Sequence, residues 1–259
     1  MPGIIRRFFS NVVCGFVPNR DRRRLVRVVL NSDVFGYLRF IRRDCGGIRL
    51  RKIKMFVGYQ ARSLLISVND KFIYKFPLRR DDSDALALRE SRIVSALAPL
   101  SPIYVPPVVL LKYKNRIVRK YEFIPGVQFR HLPSDFAYAH IDAIASQIAG
   151  FIYAIGRADP VSIRDLKSSP DMLPGDKIGW TQGDIYDNFL VDATSGRVVA
   201  MIDWEDAFFG DFAYLFKNQR DPIAKEFVEH VARCYDRMYR YGMTDKESCP
   251  DVQKNCRVR

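Results

Sequence analysis

Different rhythms of apolar and polar residues follow one another along the chain. Between Arg22 and Arg43 the apolar residues Leu25, Val28, Val29, Phe35, Leu38 and Ile41 are interleaved with arginines, which predicts short amphipathic helices. From Ile48 the period shifts toward two, so that 49–56, 64–68 and 72–78 read as β-strands, with Asn69-Asp70 as the turn between the last two. Residues 81–98 return to a helical pattern, with Ser83 as candidate N-cap, Leu86, Ile93 and Leu97 on one stripe and Pro99 as the stop. After a proline-rich connection, 108–112 and 116–123 are strand-like and close at Pro125-Gly126.

The second half opens with a long amphipathic helix over 134–156, where Ile141, Ile144, Ile148, Phe151 and Ile155 recur every three or four residues and Gly156 supplies a stop. Two strands, 188–191 and 197–202, flank the turn-rich Asp192-Ala193-Thr194-Ser195-Gly196. A final helix begins at Asp221-Pro222 and carries Ile223, Phe227, Val231, Cys234 and Met238 on one face before Gly242. There is no internal repeat and no low-complexity tract. The pattern predicts an α+β protein, a small β-rich part with one helix followed by a mainly helical part with a hairpin.

Composition narrows the class. The chain has 259 residues, 48% hydrophobic and 27% charged, enough for one large domain or two small lobes, which excludes a disordered or collagen-like chain. The longest apolar candidate, 95–111, is broken by Pro99, Pro102, Pro106 and Pro107, so no membrane-spanning helix is expected. The stretch 4–17 imitates the start of a signal peptide, but its apolar part is short and polar and no small-residue cleavage site follows. Five scattered cysteines, never in a C-x-x-C pair, argue against a disulfide framework and a zinc knuckle and predict a reducing cytoplasm.

Charge is unevenly placed. Of the net charge of +13, residues 1–54 supply 14 Lys+Arg against 3 Asp, or +11, and the rest is nearly neutral. This basic arm predicts an anionic neighbour, with plain solubility as the alternative.

The candidate chemistry lies in Gln182-Gly183-Asp184-Ile185-Tyr186-Asp187-Asn188 and, after the hairpin, Ile202-Asp203-Trp204-Glu205. In an antiparallel hairpin the first residue of one strand and the first residue after the other meet at the open end, so Asn188 and Asp203 become neighbours, with Asp184 in the loop before them. Three oxygen-bearing side chains without histidine or cysteine suit a hard cation such as Mg²⁺. An Asp-x-x-x-Asn match alone carries little weight. A second constellation supports it: Lys75 interrupts an apolar strand, and Glu90 sits on the apolar stripe of the 81–98 helix, i+4 from Leu86 and i−3 from Ile93. A carboxylate there is costly unless a cation meets it, and Lys75 is the natural partner. A structural ion pair in a small core would give the same pattern.

Tyr74-Lys75-Phe76-Pro77, Arg89-Glu90, Tyr121-Glu122-Phe123-Ile124-Pro125-Gly126, Gly183-Asp184 with Asn188, and Ile202-Asp203-Trp204-Glu205 with Gly210-Asp211 follow in this order. Over residues 55–240 the chain resembles the aminoglycoside phosphotransferase and choline kinase family. The resemblance implies a bilobal protein-kinase-like fold: a basic arm over 1–45, an N-lobe over 46–121, a C-lobe over 122–245 and a loose tail over 246–259. It implies a phosphotransferase that moves the γ-phosphoryl group of ATP, or GTP, to an acceptor hydroxyl. By it, Asp184 is the catalytic base and Asn188 and Asp203 hold Mg²⁺. Lys75 meets the α- and β-phosphates with Glu90 behind it, and the backbone near Glu122 and Phe123 meets the purine edge. The loop from Gly58 to Ser63 covers the phosphates, although its single glycine equally fits a simple hairpin turn.

Four features depart from the family pattern. Gln182 stands where His is common, Asp184 and Asn188 are four apart instead of five, Ile155-Gly156 replaces a Leu-His pair, and 210–215 lacks a second Asp. Together they keep a binding-only pseudokinase as the alternative. The three histidines lie beside no candidate nucleophile and no H-E-x-x-H occurs, so hydrolase and zinc chemistry fall away. A nucleic-acid module would use Arg20, Arg22, Arg23, Arg24 and Arg27 but lacks interleaved stacking aromatics. The 56 residues after Asp203 (259 less 203) predict an open pocket and an acceptor presented on something larger. With a faint likeness of 16–24 to N-termini of surface-polysaccharide enzymes, this points to a sugar of a lipid-linked glycan such as a lipopolysaccharide core. Choline, amino-sugar drugs and proteins stay open as acceptors. The arm would place the enzyme in the cytoplasm, at the inner face of a membrane.

Overall fold

The computed structural model describes residues 19–78, 82–168, 177–212 and 221–241. The readings for the N-terminal 1–18, for 213–215 and for the tail lie outside the described residues. The chain divides into two compact units, the first comprising residues up to 88 with 108–123, the second 89–107 with residues from 124 onward.

In the first unit two helices, α1 (Arg20–Asn31) and α2 (Val34–Asp44), precede an antiparallel sheet. Its strands are β1 (Ile53–Val57), β2 (Ser63–Val68), β3 (Phe72–Pro77), β4 (Val109–Tyr113) and β5 (Arg116–Glu122), in the order β1-β2-β3-β5-β4. Alternation along β3 puts Tyr74 and Phe76 on one face, where they form a core with Leu64, Ile66, Val118 and Ile41 of α2. Tyr37 of α2 stacks on Phe76 at 4.1 Å between centroids. The end of α2 is tied to the same face: Asp44 Oδ2 accepts from the Tyr74 hydroxyl at 2.6 Å and from Lys120 Nζ at 2.7 Å. The arginine-rich segment is therefore a folded cover of the sheet.

Two local readings change. Residues 49–52 precede β1 because Asn69, at the predicted turn, takes their hydrogen bonds: its Oδ1 accepts from Arg51 N at 2.8 Å and Lys52 N at 3.2 Å, and its Nδ2 donates to Arg49 O at 3.1 Å. Ser83 is the first residue of α3 (Ser83–Leu97) and not its N-cap, since its hydroxyl accepts from Arg116 Nη2 at 2.6 Å.

The second unit holds β6 (Val127–Gln128), α4 (Ser134–Gly156), β7 (Ile178–Thr181), β8 (Phe189–Val191), β9 (Val198–Met201), β10 (Phe208–Asp211) and α5 (Pro222–Tyr241). Helices α4 and α5 pack together, and the strands form one sheet ordered β6-β8-β9 and a separate β10-β7 pair. The α4 stripe is buried as its spacing predicts, with Ile144, Ile148, Phe151 and Ile155 fully enclosed. Asp221 Oδ1 accepts from Ile223 N at 3.2 Å and starts α5. Phe129, Phe189 and Phe227 pack ring on ring, with centroids 4.8–5.6 Å apart, beneath the 182–188 loop. Strands β6, β7 and β10 have two to four residues, too few to show a period of two, and the sequence did not reveal them. Among the described residues no helix is long and apolar enough to cross a membrane.

Candidate active site

The loop after β7 is built by its alternation of buried and half-buried residues. Ile185 is fully enclosed and Tyr186 is 7% exposed, its ring 5.7 Å from Phe129 and its hydroxyl 3.2 Å from Asp221 Oδ2. These anchors leave Asp184, Asp187 and Asn188 half-buried around them. Gly183 has φ +101°, and a Cβ there would collide with the Asp206 carbonyl, so glycine is required. Gln182 is fully buried. Its Nε2 donates to Ile202 O at 3.0 Å and Asp203 O at 2.5 Å, and its Oε1 accepts from Asp184 N at 2.8 Å.

At the hairpin mouth Ile202 N donates to Asn188 O at 2.9 Å, so Asn188 and Asp203 leave the two strands at the same end. Asp203 has φ +54°, a left-handed conformation that turns the chain sharply away from β9. Asp184 is pushed up to about 6, first by burial and then by the negative charges of Asp187 and Asp206, with Asp203 adding a smaller push against the pull of Arg130. Arg130 Nη1 pairs with Asp187 Oδ2 at 2.9 Å, and Gln128 Nε2 donates to Asp187 O at 2.9 Å, which holds the residue before Asn188.

Glu90 is 1% exposed, as its place on the apolar stripe predicts. Within the second unit its Oε1 accepts from Trp204 N at 3.2 Å, and Arg89 Nη1 donates to Glu205 O at 3.4 Å. The C-terminal part of α3 is thereby tied to the segment that begins at Asp203. Lys75 belongs to the first unit, where it is 5% exposed and stands directly across from Arg119 in the β3–β5 ladder. Arg119 is equally buried. Two cations facing each other on one sheet face are unfavourable unless negative charge lies near.

Also in the first unit, Gly58 to Ser63 forms a tight turn. Gly58 N donates to Ser63 O at 2.9 Å, Gln60 and Ala61 take left-handed φ of 49° and 55°, and Arg24 Nη2 of α1 donates to Gly58 O at 2.9 Å. Phe123 N is already bonded to Lys71 O at 2.8 Å, so a purine donor in this segment would be a different N–H.

The roles of Arg119 and Arg24 were not read from the sequence. Arg119 follows from pairing β5 against Lys75, a register that the pattern of β3 and β5 does not specify. Nor was the double brace made by Gln182, which needs the Asp203 carbonyl to come back beside it.

No protein-family model matches the sequence, and no curated protein matches it. Solved structures do. Wild-type aminoglycoside 2'-phosphotransferase-IIIa in its GDP complex superposes with a TM-score of 0.61 at 16% identity, covering 79% of this chain and 83% of that one. The ADP-bound aminoglycoside phosphotransferase APH(2'')-Ib gives 0.60 at 16%, covering 79% and 82%. The fold is that of the aminoglycoside phosphotransferases. Macrolide 2'-phosphotransferase MphH from Brachybacterium faecium extends the likeness, at a TM-score of 0.51 and 17% identity over 78% of this chain and 83% of that one. On this aminoglycoside-phosphotransferase-like fold, no described cluster of three or more His, Cys, Asp or Glu side chains could hold a metal. The candidate side chains, those of Asp184, Asn188 and Asp203, would offer carboxylate and amide oxygens and no imidazole or thiolate. That set fits Mg²⁺, which keeps several waters and takes one or two protein oxygens beside substrate phosphates.

Proposed function

We propose that the protein is a phosphotransferase that moves the γ-phosphoryl group of ATP or GTP to a hydroxyl of an acceptor. The observation that carries this reading is the joining of Asp184 to the Asn188–Asp203 mouth through Gln182 on a kinase-like fold. Structures with this fold include GDP, ADP and ATP complexes.

Phosphoryl transfer asks the protein for alignment of the acceptor and neutralisation of charge on the transferring oxygens. Asp184 would orient the hydroxyl and accept its proton; partial burial and neighbouring carboxylates favour that proton on it. Asn188 and Asp203 would hold Mg²⁺, which, when bound, screens the β- and γ-phosphate oxygens. Lys75, with Glu90 as its carboxylate partner, would position the α- and β-phosphates, Arg119 would add positive charge on the same sheet face, and the turn from Gly58 to Ser63 would cover them. The main chain near Glu122 and Phe123 would take the purine edge.

For the acceptor, neighbours include structures with kanamycin, streptomycin and gentamicin, so a polyhydroxylated small molecule fits the class. We assign the acceptor to a glycan sugar, of the lipopolysaccharide-core kind, reached at the inner face of a membrane where the basic N-terminal part meets anionic lipid. The purified protein, incubated with Mg²⁺ and γ-labelled ATP or GTP and with separate aminoglycoside and glycolipid fractions, is read by mass spectrometry. Gain of one phosphoryl mass on a glycolipid supports the whole reading, and gain on an aminoglycoside alone moves the acceptor to a free small molecule. Transfer to no fraction, with nucleotide bound, selects a pseudokinase.

A further inference from the structure

Helix α2 has two faces, and only one of them is used by the sheet. Tyr37, Phe40 and Ile41 pack inward, with Phe40 6.1 Å from Phe76 between ring centroids. A stripe of Phe35, Leu38, Arg39 and Arg42, at spacings of three, four and seven, borders that face: half-buried Leu38 still packs against the core, whereas Phe35, Arg39 and Arg42 are exposed. With Arg49 and Leu50 from the segment after the helix they line a groove of about 740 Å³, wholly within the first unit. Phe35 is 83% exposed, and Ile48 beside the groove's end is 50% exposed. Arg39, Arg42 and Arg49 are exposed, and none of the ion pairs among the described residues includes them.

We infer that this groove is a binding site for an anionic phospholipid, with the arginines on the headgroup phosphate and Phe35, Leu38 and Leu50 against the acyl-chain region. It rests on the membrane-facing part of the proposed function and not on phosphoryl transfer. An exposed phenylalanine gains nothing from water, whereas at a bilayer surface it enters the boundary between headgroups and chains. Arginine stems lie along apolar surface while their guanidinium groups reach phosphate in bidentate fashion. The net positive lining selects an anionic lipid over a zwitterionic one. A nucleic acid would meet the same cations, but one phenylalanine among aliphatic side chains offers no platform for successive bases.

The test uses the full-length protein in sedimentation with vesicles of phosphatidylcholine alone or mixed equally with phosphatidylglycerol. Wild type should bind the anionic vesicles and ignore the neutral ones. Phe35→Ser and the double variant Arg39→Gln/Arg42→Gln should each weaken binding at least tenfold, since each arginine at an anionic surface is worth about fivefold. Arg22→Gln/Arg23→Gln, on α1 and outside the groove, should change it less than threefold. All five substituted positions are exposed, so unchanged melting temperatures are expected. Equal sedimentation with both vesicle types overturns the inference and the membrane-facing reading together. Anionic binding that survives both groove variants overturns the groove alone. Release of the protein from vesicles by single-stranded RNA, with the groove variants losing RNA binding equally, would assign the surface to nucleic acid and overturn it.

Discussion

The Gln182 side chain donates to the Asp203 carbonyl at 2.5 Å while accepting the N–H of Asp184 at 2.8 Å. One neutral amide thus fixes the spacing between the candidate base and the candidate metal loop, at any pH. Replacing it with leucine keeps the volume but leaves these buried main-chain groups without partners, at about 1–3 kcal/mol for each unsatisfied group. Gln182→Leu should melt several degrees lower and turn over at least tenfold more slowly, while Gln182→His, which keeps a donor and an acceptor, should recover part of both. A leucine variant that matches wild type in melting and in turnover would show the brace to be idle.

Asp184 couples stability to pH. Its folded pKa of about 6 lies above the ordinary 3.8, so the native state holds this proton more tightly than the unfolded chain does. Its favourable contribution is fully present below 3.8, fades between 3.8 and 6, and is lost above 6. Asp184→Asn should therefore stabilise the protein by about 1–2 kcal/mol at pH 7, an amount reduced for partial solvent screening, and by almost nothing at pH 4. It should also lower turnover by several orders of magnitude with nucleotide binding nearly intact. Urea titrations at the two pH values check the first part; equal stabilisation at both would contradict it.

Lys75 and Glu90 should behave as one unit in transfer. If they do, Lys75→Met with Glu90→Gln is about as slow as Lys75→Met alone, because the second change removes an interaction already lost. Strictly additive losses in a kinetic double-mutant cycle would separate them. Glu90 Oε1 accepts from Trp204 N, so Glu90→Gln, which can still accept that bond, is the appropriate change.

The basic helices are part of the fold. Ile41 is fully buried against β-sheet residues, and Ile41→Ala should cost about 2–4 kcal/mol through lost burial and a residual cavity. Chemical denaturation measures it. A cost under half a kilocalorie would make α2 a detachable arm.

Long periodic elements were readable from the sequence. The 134–156 helix emerges with its predicted stripe buried, because an apolar face of five residues at spacing three or four has one way to hide; in the helix from Asp221-Pro222, Phe227, Val231 and Met238 are buried while Ile223 and Cys234 are half-buried at the edge of the stripe. The hairpin mouth was readable for the same reason, since antiparallel pairing forces Asn188 toward Asp203. What escaped were contacts set by tertiary return: Gln182 meeting Asp203, Arg119 facing Lys75, and Arg24 reaching Gly58 across 34 positions. Ser83 looked like a cap because the type fits, but Arg116 takes its hydroxyl.

The central claim is that the hairpin mouth binds a Mg²⁺–nucleotide, and a thermal shift tests it most directly. With Mg²⁺ and ATP or GTP at about a hundred times the dissociation constant, ligand linkage should stabilise wild type by about 2.7 kcal/mol, a rise of several degrees. Asp203→Ala, strained at this left-handed position, should melt somewhat below wild type without nucleotide and show no rise with it. A wild-type melt that neither nucleotide moves, or an Asp203→Ala protein that rises as far as wild type, would contradict the account.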